Sequence, residues 1–281
     1  MLLIGLTGSI STGKSTSSSI LASPPFSLPV IDADCLACNA ITPTSALGKQ
    51  GYNAVVRHFS ASTPDLLLPY DPETGIMPIN RFALGRQVFG TDAEKSKNRA
   101  ALNRIVHPIV RRMLVWEILK NWAKGHWAVV LDVPLLFESG LDLICGRIIV
   151  VGLRDQELQI ERLLARDRNN GGTLTREDAE NRVKSQMSIA DKVEMVERCW
   201  GGKVGRRRGF VVWNDGTKDE LKAQLLEVAR EFKEGRGELY TGLGRWMPGW
   251  AALRAITIFL GNWWEKRRYL RQKAQTLKAK I

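Results

Sequence analysis

The first residues with an evident chemical use form a loop of glycines, hydroxyl side chains and one lysine. Residues 8–15 fit the phosphate-binding pattern G-x-x-x-x-G-K-[ST]. Together with the next residue, the loop consists of Gly8, Ser9, Ile10, Ser11, Thr12, Gly13, Lys14, Ser15 and Thr16. In such a loop, backbone N–H groups surround a phosphate, the lysine reaches the β- and γ-oxygens, and the last hydroxyl ligates Mg²⁺. We therefore expect residues 8–16 to bind ATP, with Lys14 as a catalytic residue and Ser15 as a metal ligand.

The elements predicted on either side of this loop are the strand and the helix between which a phosphate-binding loop lies. Residues 2–6 are apolar and short, as in a buried strand, and residues 14–22 lack glycine and proline and can form a helix. An accidental match in a Gly/Ser-rich turn is the alternative. It does not account for the strand before the loop and the helix after it.

Carboxylates follow two further predicted strands. Residues 29–32 read as a short strand that ends at Asp32, and Asp34 comes two residues later. The apolar run at 127–131 is followed by Asp132. Because parallel sheets bind ligands at the carboxyl ends of their strands, all three are candidate site residues. Asp132 has the position of a Walker-B carboxylate, which holds Mg²⁺, although a carboxylate that caps the next turn has the same pattern.

The remaining pattern indicates an α/β fold. Residues 148–151 and 210–213 read as two more buried strands, which gives a five-stranded parallel sheet with helices on both faces. Apolar residues recur at helical spacing from 93 to 119, and Pro108 predicts two helices that meet near His107. A histidine in such a place is more often a capping or packing residue than a catalyst.

Residues 156–191 resemble a lid over a bound triphosphate. The segment is strongly helical, with a break at 169–172, and several arginines surround the break: Arg162, Arg166, Arg168, Arg176 and Arg182. Arginines on a closing helical pair can stabilise the charge of a phosphoryl-transfer transition state and exclude water. We expect Arg166 to have this catalytic role.

Charge and cysteine content limit the protein classes further. The formal net charge of the 281 residues is +12. Residues 233–281 contain 11 Lys/Arg and 3 Asp/Glu, a balance of +8, which leaves 30 against 26, or +4, for the rest. This uneven distribution argues against a general nucleic-acid-binding enzyme. The opening apolar run reaches glycine at position 5 and does not resemble a secretory signal, so we expect the four cysteines in an intracellular, reducing location, cytoplasmic or on an organelle surface. Cys35-x-x-Cys38 fits an ordinary helix better than a zinc or redox site.

The inventory of motifs favours a small-molecule kinase among the proteins that have this loop. A GTPase would have N-K-x-D after a late strand, and an ABC-type ATPase would have a sequence like L-S-G-G-Q; neither is found here. A kinase needs the loop, Mg²⁺, an acceptor pocket, a base and a lid. The sequence offers a candidate for each of these parts.

The chain resembles the dephospho-CoA kinase family over roughly residues 1–232. The segments that carry the resemblance follow one another in this order: the phosphate loop, Asp32-Ala33-Asp34, residues 102–108 with His107-Pro108 at their end, Val133-Pro134-Leu135-Leu136-Phe137-Glu138, residues 156–166, Ser185-Gln186, Ala190-Asp191-Lys192 and Asn214-Asp215-Gly216. Each segment is weak alone, and their joint order is specific. Serines at positions 9 and 11, where the family usually has glycine, and an insert at 201–208 are departures from the pattern.

The resemblance implies that ATP phosphorylates the ribose 3′-hydroxyl of dephospho-CoA, the last step of CoA biosynthesis. It makes Asp34 the proposed base, a role that suits a carboxylate within hydrogen-bond reach of the hydroxyl. It further places five residues at the acceptor: Asp32, His107, Pro108, Leu135 and Glu138. Residues 36–123 would form the acceptor region of a domain that spans residues 1–232. Two alternatives stay open: another P-loop nucleoside or nucleotide kinase, and a membrane-tethered ATP-binding module without transfer activity.

Residues 233–281 are interpreted as a basic amphipathic extension. Four tryptophans and a cluster of Lys/Arg lie in residues 239–273, which is typical of a helix on an anionic membrane surface; the tryptophans are Trp246, Trp250, Trp263 and Trp264. The alternative is a helix packed on the kinase body or on a partner protein. Arg254 interrupts the apolar run, so no transmembrane anchor is expected.

Overall fold

The structure is a computed structural model that describes residues 1–73, 75–90, 92–201, 208–234 and 248–278. Most of the insert at 201–208 and the linker and Trp246 of the extension lie outside these residues. The described chain divides into two compact units, one of residues 1–30 with 124–281 and one of residues 31–123.

Five parallel strands form the sheet, as the sequence predicts. They are β1 (Leu2–Gly8), β2 (Val30–Asp32), β3 (Ala128–Asp132), β4 (Arg147–Gly152) and β5 (Gly209–Trp213), in the spatial order β2-β3-β1-β4-β5. In this register Leu6 of β1 lies beside Asp132 of β3. The carboxyl end of β1, where the phosphate loop begins, is therefore next to a carboxylate.

Ten helices lie within the described residues. They are α1 (Lys14–Ala22), α2 (Ala33–Asn39), α3 (Ala46–Phe59), α4 (Arg81–Val88), α5 (Ala93–Ala123), α6 (Gln156–Asn169), α7 (Arg176–Lys184), α8 (Ile189–Met195), α9 (Lys218–Glu234) and α10 (Pro248–Lys278). A 3₁₀ turn at Leu141–Ile144 and a π-helical segment at Val196–Gly201 complete the elements. Helices α2 to α5 belong to the unit of residues 31–123.

Helices cover both faces of the sheet in the first unit. On one face, α1 and α9 pack against strand side chains in a cluster that includes Ile4, Leu6, Phe210 and Phe232. Successive strand residues alternate between faces, so Gly209 faces the other side. A Cβ atom at Gly209 would come within 2.7 Å of a Val196 methyl carbon. This close approach seats the π-helical segment on the sheet and completes the three-layer α/β/α fold that the sequence predicts.

Helix α5 is continuous, so the prediction of two helices that meet at Pro108 is wrong. His107 and Pro108 are exposed within one 31-residue helix. A proline inside a helix removes one hydrogen bond and costs about 3 kcal/mol. Apolar contacts on both sides of Pro108 offset this cost, because Leu102 and Ile105 pack toward α3 and α4 while Ile109 and Met113 pack toward α2.

Candidate active site

Two residues of the loop at 8–16 have an unusual backbone conformation. Ser11 has a φ of 59° and Gly13 a φ of 92°, both in the left-handed region. A Cβ atom at Gly13 would lie 2.1 Å from Asn214 Nδ2, so glycine is required there for space as well as for φ. Gly13 is also the N-cap of α1 and has no side chain to cap it. The first N–H groups of α1 are therefore available to a phosphate.

Ser11 combines two unusual properties. It is a non-glycine residue in the left-handed region, which costs about 1–2 kcal/mol. Its Oγ is buried and has no hydrogen-bond partner among the residues that the structure describes. An unsatisfied buried hydroxyl in a strained loop suits a site that awaits a polar ligand, so serine in place of glycine at position 11 is compatible with a phosphate site.

Three amide side chains hold the loop from outside. Gln159 Nε2 donates to the Ile10 carbonyl at 2.7 Å, and the Ile10 N–H donates to Gln186 Oε1 at 3.2 Å. Asn214 Nδ2 donates to the Thr12 carbonyl at 3.0 Å. These bonds fix the backbone of Ile10 and Thr12 to α6, to the segment before α8 and to the residue that follows β5. None of the three residues is a predicted site residue, although all three lie in segments that carry the family resemblance.

Lys14 and Asp132 form an ion pair at the base of the site. Lys14 Nζ lies 2.5 Å from Asp132 Oδ1, and Asp132 is only 3% exposed. Between the two sequence interpretations of Asp132, this contact favours the carboxylate of a phosphate site over a simple turn cap. The ammonium group has three N–H donors, so two remain for phosphate oxygens when one is bonded to Asp132.

The residues present suit Mg²⁺ held together with a triphosphate. The Ser15 side chain is exposed in the first turn of α1, and its hydroxyl and the Asp132 carboxylate are hard oxygen ligands. Within the described part of the chain, no group of three or more His, Cys, Asp or Glu side chains is placed to hold a metal ion. Mg²⁺ bound through one or two protein oxygens, with phosphate and water oxygens as its other ligands, needs no such group.

Lys192 is a buried cation that the sequence analysis did not single out as a site residue. Its side chain is fully buried, and Nζ donates to the Pro134 carbonyl at 2.8 Å and to the Gly8 carbonyl at 3.4 Å. Glu138 Oε1 lies 3.8 Å from the same nitrogen. Burial lowers the pKa of Lys192; Glu138 opposes this shift and Lys14 adds to it. Lys192 therefore joins the end of β1 to the segment that follows β3.

Leu135 and Glu138, two residues that the family resemblance assigns to the acceptor, lie in that segment. The Leu135 side chain is 46% exposed, whereas Glu138 accepts a hydrogen bond from the Met187 N–H at 3.4 Å. Thr7, in β1, donates its hydroxyl to the Pro134 carbonyl at 2.9 Å. The segment after β3 is thus bonded both to β1 and to the chain just before α8.

Helices α6 and α7 carry the arginines of the predicted lid, which differ in their contacts. Arg166 is exposed in the last turn of α6 and has no ion pair with any described residue. Arg176 pairs with Glu157 and Glu180, and Arg162 Nη1 donates to the Asn214 carbonyl at 3.1 Å. Of these three, Arg166 is the one whose guanidinium group is available to a ligand.

The other predicted site residues belong to the unit of residues 31–123. Asp32 is the N-cap of α2, because its Oδ1 accepts from the N–H groups of Asp34 and Cys35 at 2.8 and 3.0 Å. Asp34 is exposed in the first turn of α2. His107 and Pro108 are exposed on α5, the helix against which α2 packs. Cys35 and Cys38 are free thiols within α2.

A cleft beside the phosphate loop has room for a nucleoside. Its volume is about 610 Å³, within the usual range of small-molecule sites, and its lining includes Ser9, Gln159, Gln186 and Trp213. The Arg154 guanidinium stacks 4.6 Å from the centroid of the Trp213 ring and pairs with Asp215 at 2.7 Å. The first unit therefore combines a phosphate loop with an adjoining cleft of suitable size.

The strand order, the lysine-bearing loop and its Asp132 partner define the class of the protein, a P-loop kinase with a parallel α/β sheet. Within this class the chain belongs to the dephospho-CoA kinase family. The family model described as "Dephospho-CoA kinase" matches residues 2–199. The chain is accordingly an enzyme, a kinase of CoA biosynthesis, as the resemblance implies.

Relatives from yeast, a plant and a bacterium agree. The chain is 36% identical over 279 residues to a dephospho-CoA kinase of Saccharomyces cerevisiae, with 99% of both chains covered. It is 33% identical to the Arabidopsis thaliana dephospho-CoA kinase, covering 92% of this chain and 99% of the relative. The identity to the Geobacillus kaustophilus dephospho-CoA kinase is 36%, covering 82% and 96%.

Solved structures show the same fold. A crystal structure of a Thermus thermophilus protein superposes with a TM-score of 0.60 at 27% identity, covering 84% of this chain and 98% of that chain. A dephospho-CoA kinase from Campylobacter jejuni gives a TM-score of 0.54, covering 83% and 98%; its identity of 24% supports the fold alone.

Proposed function

We propose that this enzyme transfers the γ-phosphoryl group of ATP to the ribose 3′-hydroxyl of dephospho-CoA, giving CoA and ADP. The observation that carries this proposal is the paired Lys14 and Asp132 beside a loop whose backbone is shaped for phosphate. Membership of the dephospho-CoA kinase family supplies the acceptor. In the reaction the hydroxyl oxygen forms a bond to the γ-phosphorus, and the bond from that phosphorus to the bridging oxygen of ADP breaks.

Each group of the site has one task in this mechanism. The N–H groups of residues 8–16 and Lys14 bind the β- and γ-phosphate oxygens. Asp34 orients the acceptor hydroxyl and takes its proton late in a loose transition state. Arg166, which has no described ion pair, neutralises charge on the transferred group and on the leaving ADP.

Ser15 and Asp132 would hold Mg²⁺, which supplies positive charge that neutralises the triphosphate when bound. Lys14 lies within reach of the same carboxylate, so phosphate, lysine and Asp132 share one network. Asp32 keeps the amino end of α2, and with it Asp34, in a defined conformation through its two cap bonds. We assign His107, Pro108, Leu135 and Glu138 to the protein surfaces that contact the acceptor, dephospho-CoA.

A comparison of three acceptors, each assayed separately, tests this proposal. ADP release is followed with Mg²⁺ and ATP while dephospho-CoA, adenosine or AMP is supplied in turn. We expect a kcat/KM for dephospho-CoA at least about 100-fold above the others, since a site built for one acceptor leaves its polar groups unpaired with another. A preference for a nucleoside or a nucleoside monophosphate would instead support a different P-loop kinase.

We also propose that residues 239–273 contact an anionic membrane surface. No helix in the described ranges is long and apolar enough to span a membrane. The support comes from the outward side of α10, where four apolar side chains are each more than half exposed: Leu253, Ile256, Leu260 and Trp264. Three exposed arginines continue this side: Arg267, Arg268 and Arg271. Apolar side chains next to arginines suit the interface of an anionic bilayer.

Vesicle sedimentation tests the membrane proposal. The full chain should sediment with phosphatidylserine-containing vesicles and less with pure phosphatidylcholine. The double variant Leu260→Glu/Trp264→Glu should remain in the supernatant. The matched control is Val115→Glu/Trp116→Glu, which alters an equally exposed apolar pair on α5. Equal sedimentation of the wild type and the α10 variant would refute the proposal.

A further inference from the structure

Helix α10 is bound to the rest of its unit by buried polar contacts as well as by apolar ones. Lys266 Nζ lies 2.9 Å from both carboxylate oxygens of Asp142, which is fully buried. The same nitrogen donates to the Phe137 carbonyl at 3.0 Å. Burial raises the pKa of Asp142, and Lys266 opposes that shift. Lys266 therefore reaches the residue next to Glu138 in the segment after β3.

Asn262, one turn before Lys266, forms hydrogen bonds with the same part of the chain, residues 137–145. Its side chain is fully buried, and Nδ2 donates to the carbonyls of Leu143 at 3.0 Å and Cys145 at 2.9 Å. Its Oδ1 accepts from Arg208 Nη1 at 3.0 Å. Two residues at positions i and i+4 of α10 thus bind the carbonyls of Phe137, Leu143 and Cys145.

The next turns of α10 hold the helix that carries Lys192. Lys273 Nζ donates to Asp191 Oδ1 at 2.8 Å and to Glu194 Oε2 at 3.1 Å, one on each side of Lys192 in the sequence. Lys273 Nζ also donates to the hydroxyl oxygen of Tyr269, a buried residue, at 3.2 Å. One face of α10, at positions 262, 266, 269 and 273, therefore contacts both the segment after β3 and α8.

These two targets meet at the phosphate site. Glu138 follows Phe137 and lies 3.8 Å from Lys192 Nζ, which in turn donates to the Gly8 carbonyl at the start of the phosphate loop. A buried ion pair contributes little net stability, because the cost of removing both charges from water offsets their attraction. The defined geometry of the buried pair Lys266–Asp142 does, however, fix the positions of the groups that it joins.

We propose that α10 is a positioning element of the active site, in which Lys266 sets the place of Glu138 and Lys273 that of Lys192. This inference rests on the proposed function, because it assigns Glu138 and Lys192 to the edge of the dephospho-CoA kinase site. Lys266 and Lys273 contact neither substrate in this scheme and act only through the residues they hold. The outward side of α10, which carries the membrane proposal, does not include them.

The test compares Lys266→Met and Lys273→Met with a matched control, Lys222→Met. Lys222 is exposed on α9 and has no part in the network. The full-length variants are assayed for KM and kcat with each substrate, and hydrogen exchange is measured by mass spectrometry over residues 134–145 and 189–195. Lys273 is 36% exposed, so its variant remains informative if Lys266→Met does not fold.

We expect Lys266→Met to speed exchange over residues 134–145 and to lower kcat/KM for dephospho-CoA about 10-fold, since small displacements of positioned groups cost factors of 10 to 100. The KM for ATP should stay within about twofold of wild type, because the bonds that hold the phosphate loop through Gln159 and Asn214 are intact. Lys273→Met should speed exchange over residues 189–195 with a smaller loss of kcat/KM.

Two results would overturn the inference. One is that the Lys266→Met and Lys273→Met variants both fold and show the kinetics and hydrogen exchange of the wild type. The other is a uniform rise in exchange over the whole chain with no separation between the two substrates, which would indicate a general stabilising role. A wild-type enzyme that does not phosphorylate dephospho-CoA would refute the proposed function instead, and the exchange comparison would still report whether α10 holds the two segments.

Discussion

At the scale of single residues, the site balances its buried charges before any ligand binds. Lys14 pairs with Asp132, and Lys192 lies near Glu138. Each carboxylate lowers the cost of burying the lysine beside it, and Lys14 in turn lowers the cost of burying Asp132, whereas Glu138 is exposed. A triphosphate therefore brings its negative charge to a site whose own charges are already compensated. The extra positive charge must come from Mg²⁺, from the helix amino end and from arginines such as Arg166.

Asp34→Asn tests the proposed base. The amide keeps the size of the side chain and cannot accept the proton, so kcat should fall by about 100-fold to 10,000-fold. The dissociation constant for ATP, measured by calorimetry, should change by less than about twofold, since the phosphate loop is untouched. Asp92→Asn, an exposed carboxylate of the same unit, is the control. A wild-type chain that binds ATP without turnover would favour an ATP-binding module.

Arg166→Met tests the lid. Removal of a cation that acts on the transition state should lower kcat about 1,000-fold, and the KM for dephospho-CoA should change little. Arg176→Met should cost less, because Glu157 and Glu180 already engage that guanidinium group. Arg230→Met on α9 controls for the loss of one positive charge. Equal effects of Arg166→Met and Arg230→Met on kcat would contradict the assigned role.

At the scale of elements, the sequence predicted those whose signal is local. The strands and α1 follow from short apolar runs and from the fixed spacing of the phosphate loop. Helix α5 was misjudged, because the apolar contacts on both sides of Pro108 come from residues distant in sequence. Lys192 was not assigned to the site for a similar reason, since its partners Gly8 and Pro134 lie 184 and 58 residues away.

The attachment of α10 to α8 should depend on pH. Lys273 lowers the pKa of both Asp191 and Glu194. A carboxyl group whose folded pKa is lowered contributes stability above its ordinary pKa, and this contribution is lost as the pH falls through the folded pKa. The Tm difference between wild type and Lys273→Met should therefore be largest near neutral pH and shrink between about pH 5 and pH 3, since these groups ordinarily titrate near pH 4. A Tm difference that is constant over this range would show that the ion pairs do not hold the helix.

At the scale of the whole molecule, the part of the chain that the family model matches is shorter than the folded unit that contains the site. The family model ends at residue 199, before β5 and α9. Yet β5 pairs with β4, and Phe210 and Phe232 pack in the core under α1. Asn214, which holds the phosphate loop, also follows β5. The residues after 199 are therefore part of the structure that positions the site.

The division into two units predicts that each substrate protects its own part of the chain from hydrogen exchange. A ligand that binds the native state slows the opening of the residues that it contacts. A non-hydrolysable ATP analogue with Mg²⁺ should protect residues 8–16, and dephospho-CoA alone should protect segments within residues 36–123, the proposed acceptor region. Lys14→Met should abolish the first effect and spare the second, because Lys14 belongs only to the phosphate loop. If dephospho-CoA, at a concentration that saturates turnover, leaves exchange in residues 36–123 unchanged, the assignment of these residues as the acceptor region is wrong.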